Sequence, residues 1–325
     1  MTADIRPPER VAIVGAGVIG AAWAARWLLR GVDVAVSDPS ANAPRIVSQV
    51  LDNARTAWER MGTAPESEGK LDFCESIETA VSGADVVQES VPENLDVKKA
   101  TLKQIEGSAE LETLIASSTS GLKPSLLQQD MECPERLVVG HPFNPVYLLP
   151  MVEVVGGELT SSDAISRAMA VYDAAGMRPL HVRVEIDAFI ADRLLEAVWR
   201  EALWLINDGV ATTQEIDDVI RFGFGLRWAQ MGLFENYRIA GGESGMAHFI
   251  SQFGPTLSWP WSKLTDTPEL TEALTLLISE QSDSQSGHHT IAELERIRDE
   301  NLVDIMLALE KNQWGAGQSV SDLRR

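Results

Sequence analysis

The stretch Val11-Ala-Ile-Val14-Gly15-Ala-Gly17-Val18-Ile19-Gly20 decides how the rest of the chain is read. Four apolar residues suit a buried strand, three glycines follow in the spacing G-x-G-x-x-G, and Ile19–Arg30 then shows helical periodicity. Gly15 permits a tight turn, Gly17 lets the backbone come close to a pyrophosphate, and Gly20 lets the helix sit against the strand. The free N–H groups at the helix start, beside Val18 and Ile19, and the positive end of its dipole suit phosphate groups. A glycine-rich turn alone is weak evidence, so the context matters.

Outward from that turn, a second strand over Val32–Ser37 ends in Asp38, eighteen residues after Gly20. A carboxylate there accepts hydrogen bonds from ribose hydroxyls and repels a 2′-phosphate, which predicts NAD rather than NADP. FAD is the remaining alternative from this turn by itself. Further apolar runs at Ala84–Val87, Thr113–Ala116, Leu137–Val139, Met151–Val155 and Leu180–Val184 predict strands. Amphipathic helical stretches such as Ile19–Arg30, Ala43–Met61 and Ser162–Gly176 fall among them. Strand alternating with helix implies a mainly parallel sheet covered on both faces.

Beyond about Glu185 only helical patterns recur: Phe189–Asp208, Thr212–Arg221 with Thr212 and Glu215 spaced as a capping box, Met246–Phe253, Glu269–Ser279 and Ile291–Leu309. Residues Gln281–Thr290 read as a polar loop. The fold class expected is therefore α/β, an N-terminal Rossmann doubly wound sheet followed by an all-helical C-terminal domain. The boundary falls near 186, with residues 1–185 as the NAD-binding domain and 186–325 as a helical substrate and dimerisation domain.

The chain has 325 residues, 45% hydrophobic and 23% charged, with a net charge of −21. That charge argues against a nucleic-acid partner and leaves a cationic or zwitterionic small molecule more acceptable than a polyanion. No apolar run approaches a membrane span, and the first residues do not read as a secretory leader. Cys74 and Cys133 are too few for a disulfide framework and lack metal-ligand spacing with the histidines, so no metal is expected. A cytoplasmic protein is the natural expectation.

Chemistry is carried by residues 116–155. They contain Ala-Ser-Ser-Thr-Ser120-Gly, Val-Val-Gly-His141-Pro-Phe143-Asn144-Pro and Met-Val-Glu153-Val-Val. A glutamate inside an apolar strand is costly unless paired, and His141 is the obvious partner. Together they make a base and the group that fixes its tautomer and stabilises its imidazolium.

These segments resemble the L-3-hydroxyacyl-CoA dehydrogenase superfamily, which has a serine in T-S, an H-x-F-N-P loop and a glutamate in V-E-V-V. The stretch Gln88-Glu-Ser-Val-Pro-Glu93-Asn-Leu-Asp-Val-Lys98 is similar to its E-N-L-x-V-K segment. The resemblance implies Glu93 and Lys98 near the nicotinamide ribose and diphosphate, His141 as the proton acceptor, and Ser120 and Asn144 on the reacting oxygen. It also argues against FAD and implies a homodimer paired through the helical domain.

Longer stretches, His141–Pro150, Gly176–Val182 and Phe189–Ala197, resemble the carnitine-oxidising branch of that superfamily. The function implied is NAD-dependent oxidation of a 3-hydroxyl on a small zwitterion. Asp192, where acyl-CoA members resemble one another in having asparagine, is a candidate for the substrate ammonium, with a structural pairing to Arg193 or another basic residue as the alternative, and Phe143 stands beside the loop. Quaternary ammonium groups favour aromatic faces, so Tyr147, Trp199, Trp204, Trp228, Trp259 and Trp261 are candidates also, although each has core packing as its ordinary explanation. Arg193 and Arg227 are alternatives for the substrate carboxylate.

Two departures stand out: Asp187-Ala188-Phe189 replaces the family's Pro-Gly-Phe, and Phe224 is bulky for its place. The alternatives are a dehydrogenase of another 3-hydroxy acid, such as L-gulonate or a 3-hydroxyacyl-CoA, and a non-catalytic NAD-binding protein of the crystallin kind. At this length, the thioesterase-like domain carried by some carnitine-oxidising members is not expected.

Overall fold

In a computed structural model of the chain, residues 7–229, 232–240, 245–253 and 290–324 are described, with isolated residues between 260 and 288. Among the described residues eight strands form one sheet: β1 (Arg10–Val14), β2 (Asp33–Ser37), β3 (Leu71–Cys74), β4 (Val86–Glu89), β5 (Leu114–Ser117), β6 (Leu137–Pro142), β7 (Met151–Gly156) and β8 (Arg178–Val182). Their order is β3-β2-β1-β4-β5-β6-β7-β8. Every neighbouring pair is parallel except β6 and β7, which are antiparallel. This is the doubly wound sheet the sequence implies. The order reverses between β1 and β4, where loops at the strand C-termini diverge and open a crevice.

The helices around the sheet are α1 (Val18–Leu29), α2 (Ala43–Met61), α3 (Ile77–Val81), α4 (Leu95–Ser108), α5 (Pro124–Gln128) and α6 (Ser162–Ala174). Along β1, Val11 and Ile13 enter the core on one face while Ala12 and Val14 enter the core on the other. That two-sided burial is what an all-apolar parallel strand requires.

Strand β3 is not evident in the sequence, because its Leu-Asp-Phe-Cys is short, half polar and at the sheet edge. A usable sign lay in Gly69, where a Cβ would fall 1.9 Å from the Val32 carbonyl oxygen. The last strand also sits two residues earlier than the periodicity suggests.

Helix α1 departs from the amphipathic expectation: from Gly20 to Leu29 every residue is buried. Its outer side is covered by the C-terminal segment, whose Val303, Met306, Val320 and Leu323 join the same core. Arg26, on this helix, is wholly buried. Its guanidinium donates to the carbonyls of Val146 (2.7 Å), Ala175 (3.0 Å) and Gly176 (3.3 Å). Burial, and secondarily Arg30, push Arg26 down to about 9. Beside it, the Trp58 indole donates to the Tyr147 carbonyl at 2.8 Å. Two helices thereby anchor the loop that follows His141.

The chain divides into two compact units. The first holds residues up to 192 together with 299–310 and from 316 onward; the second holds 193–298 and 311–315. The sequence suggested one cut near 186, whereas the C-terminal segment returns to the sheet-bearing unit. The Arg178–Asp322 ion pair and Arg324, which bonds Glu310 (2.6 Å) and the Met61 carbonyl, fasten it there.

The second unit contains most of α7 (Ala191–Asn207), then α8 (Thr213–Val219), a π-helical turn over Ile220–Phe224, α9 (Gly225–Trp228), α10 (Leu233–Ala240) and α11 (Gly245–Phe253). Helix α12 (Ile291–Glu310) and α13 (Gly317–Leu323) follow. The capping box expected at Thr212 and Glu215 is present. Trp259 and Trp261, part of the predicted segment 269–279 and most of 281–290 lie outside the described residues. Among the described residues no helix is long and apolar enough to cross a membrane.

Candidate active site

The glycine turn leads directly from β1 into α1. Gly15 adopts φ 93°, and a Cβ on it would meet the Ser90 carbonyl oxygen at 2.7 Å. A Cβ on Gly20 would fall 1.8 Å from the Gly15 oxygen, so only glycine allows this packing. Around Gly17 the space is open, with no atom within 4 Å of a built Cβ. Gly17 is also the N-cap of α1 and supplies no side-chain cap. Bare helix amides facing open space fit a diphosphate. Val18 is exposed at this helix start, and Ile19 lines the adjoining pocket.

Asp38, at the end of β2, borders a cavity of about 760 Å³ together with Gly15, Gly17 and Ser37. Its carboxylate accepts from the Ala16 amide at 2.6 Å and the Ser40 amide at 2.7 Å. The acidic residue therefore also braces the glycine turn, a contact not apparent from the sequence spacing.

A second cavity, of about 310 Å³, shares Ser90 and Val91 with the first. His141, Ser120, Glu93, Lys98 and Ile19 all line it. Here the antiparallel pairing matters, since His141 of β6 lies opposite Glu153 of β7 in register. The His141 Nδ1 to Glu153 Oε2 distance is 2.9 Å, and both side chains are buried. The other carboxylate oxygen of Glu153 accepts from the Ile190 (3.0 Å) and Ala191 (3.1 Å) amides at the start of α7. The glutamate is thereby held from two elements, which offsets the cost of burying its charge. Phe143 and Phe189 flank the imidazole at ring-centroid distances of 5.5 and 5.8 Å.

Asp192 reaches within 4.0 Å of His141 Nε2, the nitrogen on the open side. Asn144 is exposed beyond the end of β6 and is not among the residues lining the pocket. The structure thus brings Ser120, His141 and Glu153 together and leaves Asn144 to one side. Tyr147 is turned into the core, where its hydroxyl donates to Asp299. Arg193, Arg227, Trp199, Trp204 and Trp228 belong to the second unit.

Glu93 and Lys98 are adjacent, but their engagement differs from a free cofactor clamp. One Glu93 oxygen accepts from the Thr119 hydroxyl and from the amides of Ser120 (3.1 Å) and Gly121 (3.3 Å). The other lies 3.4 Å from the Lys98 ammonium. Lys98 is itself buried against Glu89 at 2.9 Å. The sequence pattern gives Glu89 no role of its own. The hint was a second carboxylate two residues after Val86-Val87.

The turn before α7 departs from ordinary backbone. Ala188 and Phe189 have φ of 62° and 46°, in the left-handed region that favours glycine. The family resemblance implies glycine where Ala188 stands. The buried Phe189 ring holds the turn in place.

Residues 10–186 match the 3-hydroxyacyl-CoA dehydrogenase NAD binding domain, and residues 189–273 match the 3-hydroxyacyl-CoA dehydrogenase C-terminal domain. The chain belongs to the 3-hydroxyacyl-CoA dehydrogenase family, and its cofactor is NAD. Within that family it is similar to proteins named L-carnitine dehydrogenase: 56% identical over 95% of this chain and 86% of a Mesorhizobium japonicum protein, and 52% over 96% and 97% for one from Pseudomonas putida. An Agrobacterium fabrum L-carnitine dehydrogenase/betainyl-CoA thioesterase is 57% identical over 96% of this chain. The chain spans only 64% of that longer relative. Among solved structures, the NAD+-dependent 5-dehydrogenase of 5-formyl-3-hydroxy-2-methylpyridine 4-carboxylic acid aligns with a TM-score of 0.78 at 29% identity, covering 93% of this chain and 98% of that one.

Proposed function

We propose that this chain oxidises the 3-hydroxyl of L-carnitine to the ketone with NAD. One observation carries the chemistry: His141, backed by Glu153, and Ser120 open on a single pocket continuous with the nucleotide cleft through Ser90 and Val91. The names of relatives alike over nearly the whole chain support the substrate.

The residues divide the work as follows. His141 Nδ1–H donates to Glu153, so Nε2 is the nitrogen free to take the hydroxyl proton. Glu153, fixed by two backbone amides, orients the ring and stabilises its imidazolium. Ser120 donates to the reacting oxygen as its charge changes. Asn144, three residues after His141, is assigned to the same oxygen by its place in the His-Pro-Phe-Asn-Pro loop. The bound nicotinamide ring supplies the hydride acceptor. Asp192, near Nε2, faces the trimethylammonium, which lies two bonds from the hydroxyl-bearing carbon. Phe143 offers that cation an aromatic face.

The protein acts as a cytoplasmic homodimer in this reading. The second unit exposes Leu194, Leu195, Val198 and Trp199 along one side of α7, an apolar face suited to a second copy.

The test is NADH formation against L-carnitine, D-carnitine, 3-hydroxybutyrate, L-gulonate and 3-hydroxybutyryl-CoA, on protein whose mass is measured by light scattering. L-carnitine is expected to give the highest kcat/KM, with a mass of twice the chain. Turnover of another member without turnover of L-carnitine removes the substrate reading, and a monomeric mass removes the dimer.

A further inference from the structure

A wholly buried carboxylate lies beside the pocket and takes no part in the chemistry above. Glu89 ends β4. Its Oε1 accepts from the Lys98 ammonium at 2.9 Å and the Val91 amide at 2.7 Å, and its Oε2 accepts from the Ser117 hydroxyl. The Ser117 oxygen in turn accepts from the Thr119 amide at 3.4 Å, which directs its proton to Glu89. Burial is the larger effect and raises the Glu89 carboxyl, with the Lys98 charge, the Ser117 hydroxyl and the Val91 amide opposing it. With donors on both oxygens, a carboxylate is the form that satisfies this site.

Lys98 meets Glu89 and also Glu93, at 3.4 Å, while donating to the Val91 carbonyl at 3.1 Å. One cation faces two carboxylates, so the cluster carries one net negative charge. Lys98 and Glu93 line the same pocket as His141 and Ser120. Without Glu89, Lys98 and Glu93 would cancel, and the lysine would be released towards the cleft.

We propose that Glu89 sets the charge of this pocket so that it prefers the oxidised, cationic nicotinamide ring over the reduced, neutral one. This rests on the reading that the pocket receives the nicotinamide end of NAD. The two forms have the same shape but differ by one charge, so electrostatics is the means available to distinguish them. Near a buried cluster that difference is weakly screened. The preference loads the protein with the form that accepts electrons and helps release the form that has gained them. Glu89 acts through Lys98 and Glu93, so it is a positioning residue.

The experiment measures dissociation constants of NAD and NADH separately on the full chain, by calorimetry and by NADH fluorescence. Glu89→Gln keeps the shape and removes the charge; the affinity for NAD relative to NADH is expected to fall about three- to tenfold. Lys98→Gln removes the cation and is expected to move the ratio the other way. Lys99→Gln removes a cation that meets Gln129 and Asp130 and lines neither cavity, and should leave the ratio within about twofold. Should Glu89→Gln fail to fold, Glu93→Gln and Lys98→Gln carry the test through opposite shifts.

Equal weakening of both nucleotides by Glu89→Gln, or shifts of one sign for the lysine and glutamate variants, overturns the proposal and makes the cluster purely structural. Failure of the unsubstituted protein to bind either nucleotide removes the nucleotide-pocket reading instead.

Discussion

In the parallel part of the sheet, β1, β2 and β4 end side by side, and the bare glycine turn after β1 keeps open the cleft they leave. In the β6–β7 hairpin the opposite holds. There the antiparallel register sets two side chains, His141 and Glu153, face to face across the ladder. One region is shaped by what is missing, three glycine Cβ atoms, and the other by what is present, a His141–Glu153 hydrogen bond supported by the start of α7. Binding and chemistry are therefore separable by substitution, even though both sites share Ser90 and Val91.

The largest break in that comparison is His141→Gln. Loss of a general base costs about 10³-fold in turnover, roughly 4 kcal/mol on the barrier. NADH affinity by fluorescence should stay within about threefold, because the glycine turn and Asp38 are untouched. A variant that kept a tenth or more of its kcat would remove His141 from the role of base.

Next in size is Gly20→Ala, which attacks the parallel region. The added Cβ meets the Gly15 oxygen, so α1 must shift away from the turn. We expect a loss of about 2–3 kcal/mol in urea unfolding, as for other overpacked sites. NAD binding should weaken as well, since the helix amides move with the helix. Unchanged stability together with unchanged NAD affinity would show that the turn tolerates what the geometry forbids.

How legible each region was in the sequence follows from the same contrast. The glycine turn is a local pattern, and Gly15, Gly17, Gly20 and Asp38 were readable because strand, turn, helix and second strand follow one another within a short stretch of chain. His141 and Glu153 were readable from cost, because a glutamate among Met, Val and Val needs a partner. What escaped was contact between distant segments. Arg26 binds a carbonyl 120 residues away, and only folding shows that this arginine and Trp58 fix the loop behind His141. Similarly, Asp38 braces Ala16, and Lys98 is engaged by Glu89 rather than left free for a diphosphate. The covering of α1 by the C-terminal segment escaped for the same reason, since an Ala- and Trp-rich helix does not name what packs on it.

The smallest expected effect lies at the hinge of the hairpin's support. The Ile190 and Ala191 amides that hold Glu153 are aimed by the preceding turn, where Ala188 has φ 62°. An L-residue with a Cβ is disfavoured there by about 1–2 kcal/mol, which glycine avoids. Glycine also adds freedom to the unfolded chain, cancelling about 0.4–1 kcal/mol of that gain. Ala188→Gly should therefore raise stability by only about 0.5 kcal/mol, read as a small rise in the urea midpoint at unchanged slope. Gly20→Ala and Ala188→Gly are opposite exchanges at two turns, one in each region, and their stability changes should carry opposite signs. A fall in the midpoint for Ala188→Gly would mean that the Ala188 side chain contributes more through packing than its backbone conformation costs.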